Sequence, residues 1–220
     1  MKSIKPTIDK EKNIPSIIKN LLKHSRSMIK KNNQFYSLLK TEDNLKTSAK
    51  VLLRDSTKRF PIKNSEVDLI ITSPPYVTSY EYADLHQLSL LWFGNDKKDF
   101  KGWHKFSSNF TDFRKNFIGT SYKNKQKGEI GSQIGSNITE NLHSRDKALS
   151  KDVSNYFIDM NLAFREMHRV LKKGKHACVV IGNTELRGIA ILNAEVATEQ
   201  MLKVGFKNPH IIKREVGNKM

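Results

Sequence analysis

Two consecutive prolines directly behind a short apolar run constrain this chain more than any other feature. The run is Val67-Asp68-Leu69-Ile70-Ile71, and Thr72-Ser73-Pro74-Pro75-Tyr76 follows it. Such a run, rich in β-branched side chains, suits a central strand of a parallel sheet. Proline lacks an N–H and fixes its own φ, so Pro74 and Pro75 end the strand. Pro75 also drives Pro74 toward an extended shape. The strand therefore enters a stiff loop with outward-facing carbonyls and an aromatic ring, Tyr76, at its tip. In open α/β sheets ligands bind at the carboxyl ends of strands, which makes this loop the first candidate site.

Other segments supply elements for such a sheet. Residues 1–50 form a basic N-terminal segment. In it the helical spacing of Ile14, Ile17, Ile18, Leu21 and Leu22 predicts an amphipathic helix over 14–31. That helix either packs on the sheet or docks on a partner or nucleic acid. Residues 51–220 form the main domain. Val51-Leu52-Leu53 reads as a short strand, and Arg54-Asp55-Ser56 follows it. Tyr82, Leu85, Leu88, Leu91 and Trp92 mark a helix between Tyr80 and Phe93.

Residues 95–150 read as a polar, mobile insertion, with Gly128, Gly131 and Gly135 closely spaced. Phe106, Phe110, Phe113, Phe117 and Tyr122 stand there among lysines. They fit either an amphipathic helix near 108–118 or a surface that stacks on bases. Val153, Tyr156, Phe157, Met160, Phe164, Met167 and Leu171 mark a strong amphipathic helix, with Gly174 as its stop. His176–Ile181 reads as a buried strand, and Gly182-Asn183-Thr184 lies at its carboxyl end. Ile191–Val204 reads as a helix stopped by Gly205. Phe206–Val216 reads as an edge strand, since Pro209 interrupts it.

A chain of 220 residues with a net charge of +17 suits one domain with a real core, and favours a polyanionic partner, nucleic acid first. The single cysteine, Cys178, excludes an internal disulfide and fits a reducing compartment such as the cytoplasm. Its apolar neighbours make it a core residue by expectation. No apolar run is long enough to span a bilayer, no signal peptide is recognisable, and neither a membrane nor a metal partner is expected.

The motif Thr72-Ser73-Pro74-Pro75-Tyr76 resembles the catalytic motif of amino-group DNA methyltransferases, which use S-adenosylmethionine. Its Ser-Pro-Pro-Tyr form is similar to the cytosine-N4 branch, while the adenine-N6 branch more often carries Asp-Pro-Pro-Tyr. The resemblance runs on through Tyr80-Glu81-Tyr82-Ala83-Asp84-Leu85-His86 and Leu91-Trp92-Phe93-Gly94. It resumes at Arg169-Val170-Leu171-Lys172-Lys173-Gly174 and Val180-Ile181-Gly182-Asn183. It implies an α/β, Rossmann-like methyltransferase sheet and double-stranded DNA with a flipped base as partner. The family's function would place this chain in a restriction-modification system.

The resemblance also implies roles. Ser73 Oγ and the Pro74 carbonyl accept hydrogen bonds from the target amine, Pro75 stiffens the turn, and Tyr76 stacks on the base. Asp55, Thr72 and Asn183 lie where the cofactor is expected. Asp55 reads equally as a turn-forming residue beside Ser56, and Asn183 equally as a plain turn residue. Cytosine-C5 transfer is disfavoured, because no loop cysteine is available as nucleophile.

One family feature has no counterpart. No Phe-x-Gly-x-Gly loop follows a strand here, and the glycines at 131 and 135 lack a preceding apolar run. The expected sheet is therefore incomplete, lacking its first two strands, with exposed edges. Either a second polypeptide supplies those strands, or the chain is an inactive DNA-binding fragment.

Overall fold

The computed structural model describes residues 16–42, 46–77, 81–89 and 110–213. The chain divides into two compact units between Leu53 and Arg54.

Among the described residues the first unit holds one helix, α1 (Ile17–Thr41), longer at its carboxyl end than the apolar spacing predicts. Ser16 starts it, its hydroxyl accepting from the Lys19 N–H at 3.4 Å. No residue of α1 is buried. Val51–Leu53 forms no strand, and Val51 is 96% exposed. A strand needs a neighbour to satisfy its backbone groups, and none is present among the described residues.

The second unit is mixed α/β. In chain order it contains β1 (Val67–Thr72), α2 (Tyr82–Leu85), α3 (Phe110–Arg114), α4 (Gln133–Arg145) and α5 (Lys147–Val170). Then come β2 (Leu171–Val179), β3 (Thr184–Leu186), β4 (Ile189–Ile191) and α6 (Asn193–Val204). Among the described residues β1 pairs in parallel with β2, and β3 pairs antiparallel with β4.

Helix α5 is the centre of the core. Asp146 caps it, accepting from the Leu149 N–H at 3.0 Å. Val153, Tyr156, Phe157, Met160, Phe164 and Met167 recur every three or four residues and are buried. Ile138 and Leu142 of α4, Val196 and Ala197 of α6, and Ile191 of β4 close around them. Part of the expected polar insertion is therefore firm structure. Ser132 caps α4 by accepting from Gly135 N–H at 2.9 Å, and Glu199 of α6 accepts from both Ser132 Oγ and Ile134 N–H.

Polar side chains on α5 fix the segment before α4. Asn155 Oδ1 accepts from Gln126 N–H, Asn155 Nδ2 donates to the Asn124 carbonyl, and Asn161 Nδ2 donates to that of Glu129. Lys123 Nζ lies 2.5 Å from Asp159. These polar groups are buried, and their hydrogen bonds make that tolerable.

The sheet departs from expectation at its start. Helix α5 ends at Val170 and β2 begins at once, so Gly174 does not stop the helix. Val67 pairs with Leu171 and Leu69 with His176, so two residues of β1 oppose five of β2. Gly174, at φ +76°, sits in that bulge. Pairing then runs regularly from Leu69 and His176 to Thr72 and Val179.

Only one face of this pair meets the core. Ile70, Ala177 and Val179 pack against it. On the other face Leu69 and Ile71 are 54% and 70% exposed. Cys178, paired with Ile71, is exposed too, so it is not the core residue its neighbours suggested. The cause is simple: nothing among the described residues covers the side of the sheet to which it points.

Toward the carboxyl end, Gly205 stops α6 as predicted, at φ +120°. No strand follows over 206–213, where no neighbouring edge is offered among the described residues. The unforeseen element is the β3–β4 hairpin. Its two turn residues, Arg187 and Gly188, both have positive φ, the mirror-image turn that suits a hairpin's twist.

Candidate active site

The diproline loop leaves β1 at the carboxyl end of the parallel pair. The last rung is the Val180 N–H donating to the Thr72 carbonyl at 2.9 Å. Ser73 follows and is exposed, Pro74 and Pro75 are half-buried, and Tyr76 is 49% exposed. The next residue, Val77, is fully buried in the core cluster. The loop is thus pinned at both ends and open in the middle.

Two tyrosines brace it. Tyr156 of α5 donates its hydroxyl to the Pro75 carbonyl at 3.0 Å. Tyr82 of α2 accepts at its hydroxyl from the Tyr76 N–H at 3.4 Å. Burial, helped by the nearby Tyr82, pushes the Tyr156 phenol well above its ordinary range. It stays protonated and remains a donor. The Pro75 carbonyl is so engaged, whereas no hydrogen bond is made by Ser73 Oγ or the Pro74 carbonyl among the described residues.

The elements after the loop are tied down by carboxylates. Glu81 accepts from Thr120 Oγ1, Ser121 N–H and Ser121 Oγ at 2.7–2.8 Å. Asp84 holds Arg114 at 2.6 Å, and the Arg114 guanidinium lies over the rings of Phe110 and Tyr122. Arg114 thus ties this segment to α2; Phe110, Phe113 and Phe117 pack on one another, and Lys115 pairs with Asp112. Phe106, Leu91 and Trp92 lie outside the described residues.

The lead-in to β1 is fixed by residues of the Arg-Val-Leu-Lys stretch. Arg169 donates to the carbonyls of Phe60 and Ile62 and to Asn64 Oδ1, and it pairs with Glu166. Glu166 accepts in turn from the Phe60 N–H at 2.6 Å. Ser65 and Glu66 then bond to the carbonyls of Arg169 and Val170. The Arg169 hydrogen bond holds the Glu166 carboxyl below its usual range.

The residues expected near a cofactor are placed as follows. Asp55 is exposed, and one of its oxygens accepts from both Thr57 N–H and Thr57 Oγ1, a side-chain turn. Thr72 is the last residue of β1. Asn183 lies beyond β2, where its Oδ1 accepts from Ala194 N–H at the start of α6 and its Nδ2 donates to Glu195. Thr72 and Asn183 thus follow the two parallel strands at the same end, while both polar atoms of Asn183 serve to latch α6.

Sequence reasoning missed Tyr156 and Tyr82 as loop supports, because both read as members of apolar stripes. The available signal was the hydroxyl itself, since a buried tyrosine normally finds a partner for it. Among the described residues no group of acidic, histidine or cysteine side chains could hold a metal ion. No helix among them is long and apolar enough to cross a membrane.

This chain is 25% identical over 178 residues to the Type II methyltransferase M.BsoBI of Geobacillus stearothermophilus. The relative is a methyltransferase. The aligned part covers 71% of this chain and 35% of the relative, so the chain spans about a third of that protein's length. No family model and no solved structure matches the chain.

Proposed function

We propose that this chain is the catalytic part of a DNA methyltransferase acting on the exocyclic amine of cytosine, N4, within a restriction-modification system. The observation that carries the reading is the open, braced Ser73-Pro74-Pro75-Tyr76 loop at the carboxyl end of β1, in a chain similar to a type II methyltransferase. Serine at position 73, where an aspartate suits adenine, favours cytosine.

The amine of cytosine is a poor nucleophile, because its lone pair is delocalised into the ring. Ser73 Oγ and the Pro74 carbonyl accept its two hydrogens and draw the nitrogen toward tetrahedral geometry, which frees the lone pair for attack. Tyr76 stacks on the extruded base. Such stacking is worth about 1–3 kcal/mol per base, which offsets much of the cost of unstacking. The N–C bond would form as the donor's sulfur–methyl bond breaks, leaving a neutral thioether; the amine, then cationic, would lose one proton by way of Ser73 to water.

S-adenosylmethionine, the donor that methyltransferase similarity implies, supplies the electrophilic methyl group when bound. Asn183 spends both its polar atoms on α6, and Asp55 gives one carboxylate oxygen to Thr57 and keeps the other for the donor, with Thr72. The reading therefore includes a second polypeptide segment that completes the sheet and holds the donor. The uncovered face of Leu69, Ile71 and Cys178 supports it, because parallel sheets are ordinarily covered on both faces.

The test is mass analysis of nucleosides from DNA incubated with donor and this chain, with and without the products of its neighbouring genes. N4-methylcytosine, dependent on a neighbour, is the expected product. N6-methyladenine would move the assignment to adenine. Neither base under any combination would leave a non-catalytic DNA-binding subunit.

A further inference from the structure

Helix α1 carries two opposed faces. Lys19, Lys23, Arg26 and Lys30 recur at intervals of four, three and four residues, so they form one ridge along the helix. No Asp or Glu lies anywhere between Ile17 and Thr41. All four cations are exposed, and none makes an ion pair among the described residues. Leu21, Met28 and Phe35 run along the opposite side and Leu22, Ile29 and Tyr36 along one flank, each exposed. Neutralising pairs at helical spacing would be the ordinary way to stabilise such a surface, and here they are missing.

We infer that α1 is a grip on the phosphodiester backbone of duplex DNA, with the ridge Lys19, Lys23, Arg26 and Lys30 laid against phosphates. The choice of DNA as polyanion rests on the function proposed above. The ridge extends over about 16 Å of helix at ~1.5 Å per residue, enough to meet several phosphates of one strand. It reads no bases, so it adds affinity and register without sequence preference. The ridge complements the regularly spaced charges of a phosphodiester backbone. An anionic lipid surface offers charge of the same sign, and the experiment below separates the two.

The experiment is an anisotropy titration of a labelled duplex of arbitrary sequence into the full chain over a range of potassium chloride concentrations, without methyl donor. It compares the wild type with a variant carrying Lys19→Gln, Lys23→Gln, Arg26→Gln and Lys30→Gln. Glutamine keeps helix propensity, and circular dichroism checks that the helix survives. The plot of log affinity against log salt should become shallower by about 0.9 for each phosphate no longer neutralised, roughly three to four units in all. Arginine at the three lysine positions should restore the slope. An unchanged slope overturns the grip. Loss of binding to phosphatidylserine vesicles with the DNA slope unchanged overturns it in favour of a lipid surface. Because no methylation is read, failure of the catalytic reading leaves this outcome independent; N4-methylcytosine formation with an unchanged slope removes only the grip.

Discussion

At the scale of single residues, the loop divides its carbonyls between structure and chemistry. The Pro75 carbonyl is held by Tyr156 and the Val77 side chain is buried, while Ser73 is exposed and Pro74 half-buried. A Ser73→Ala variant should keep the melting temperature of the parent, since Ser73 is exposed. It should lose methylation by about 10²-fold or more, as when a donor or acceptor aimed at the reacting group is removed. Single-turnover rates with saturating DNA check this. Tyr156→Phe should behave differently. It leaves a half-buried carbonyl unpartnered, costing about 1–2 kcal/mol in urea unfolding, and it lowers the chemical rate while leaving affinity for DNA intact. The Tyr156 phenol also sets an alkaline limit. Its folded pKa is raised, so its contribution is fully present below the unfolded value of 10.0 and is lost as pH rises above it. In Tyr156→Phe that part of the alkaline fall should vanish.

At the scale of elements, what could be read beforehand was whatever the chain declares locally. The period of Val153 through Met167 announces α5, Gly205 announces the end of α6, and the run before the prolines announces β1. The misses share one physical origin, which is partnership. Val51–Leu53 and the residues after Phe206 have strand-like composition but meet no neighbouring edge among the described residues. Arg187-Gly188 makes a hairpin turn without the Asn or Asp that usually marks one. Gly174 looks like a helix stop and serves instead to bulge β2. In the candidate site, Ser73, Pro74 and Tyr76 were legible as a motif, whereas the bracing by Tyr156 and Tyr82 depends on which helix faces the loop. The Arg169–Glu166 latch belongs to the same scale, because it joins the end of α5 to the entrance of β1. Both side chains are half-buried. Arg169→Ala leaves the Glu166 carboxylate without its partner and should lower the urea midpoint. The Glu166 pKa is depressed in the fold, so its stabilisation is present above the unfolded value of 4.5 and fades as pH falls through the lower folded value. Urea midpoints of the parent should drop over that acid range, and those of an Arg169→Ala, Glu166→Gln double variant should drop less.

At the scale of the whole molecule, the parallel pair β1–β2 has one dry face and one wet one. Leu69, Ile71, Cys178 and Val180 make that wet face chemically addressable, because Cys178 is the chain's only thiol. A thiol reagent should modify Cys178 rapidly in the isolated chain. Addition of a polypeptide that restores methylation should slow the reaction at least tenfold, read by intact mass. Equal rates in the two states would mean that the completing segment does not cover this side. Titration calorimetry on the chain alone should show no tight uptake of S-adenosylmethionine; tight uptake would place the donor site within these 220 residues.

On the proposed reading, that uncovered apolar sheet awaits a companion to shield it. Exposed strands of this kind invite aggregation and capture by quality control. Surplus copies should therefore be cleared, so that the amount surviving follows the dosage of the shielding companion and not the chain's own rate of synthesis.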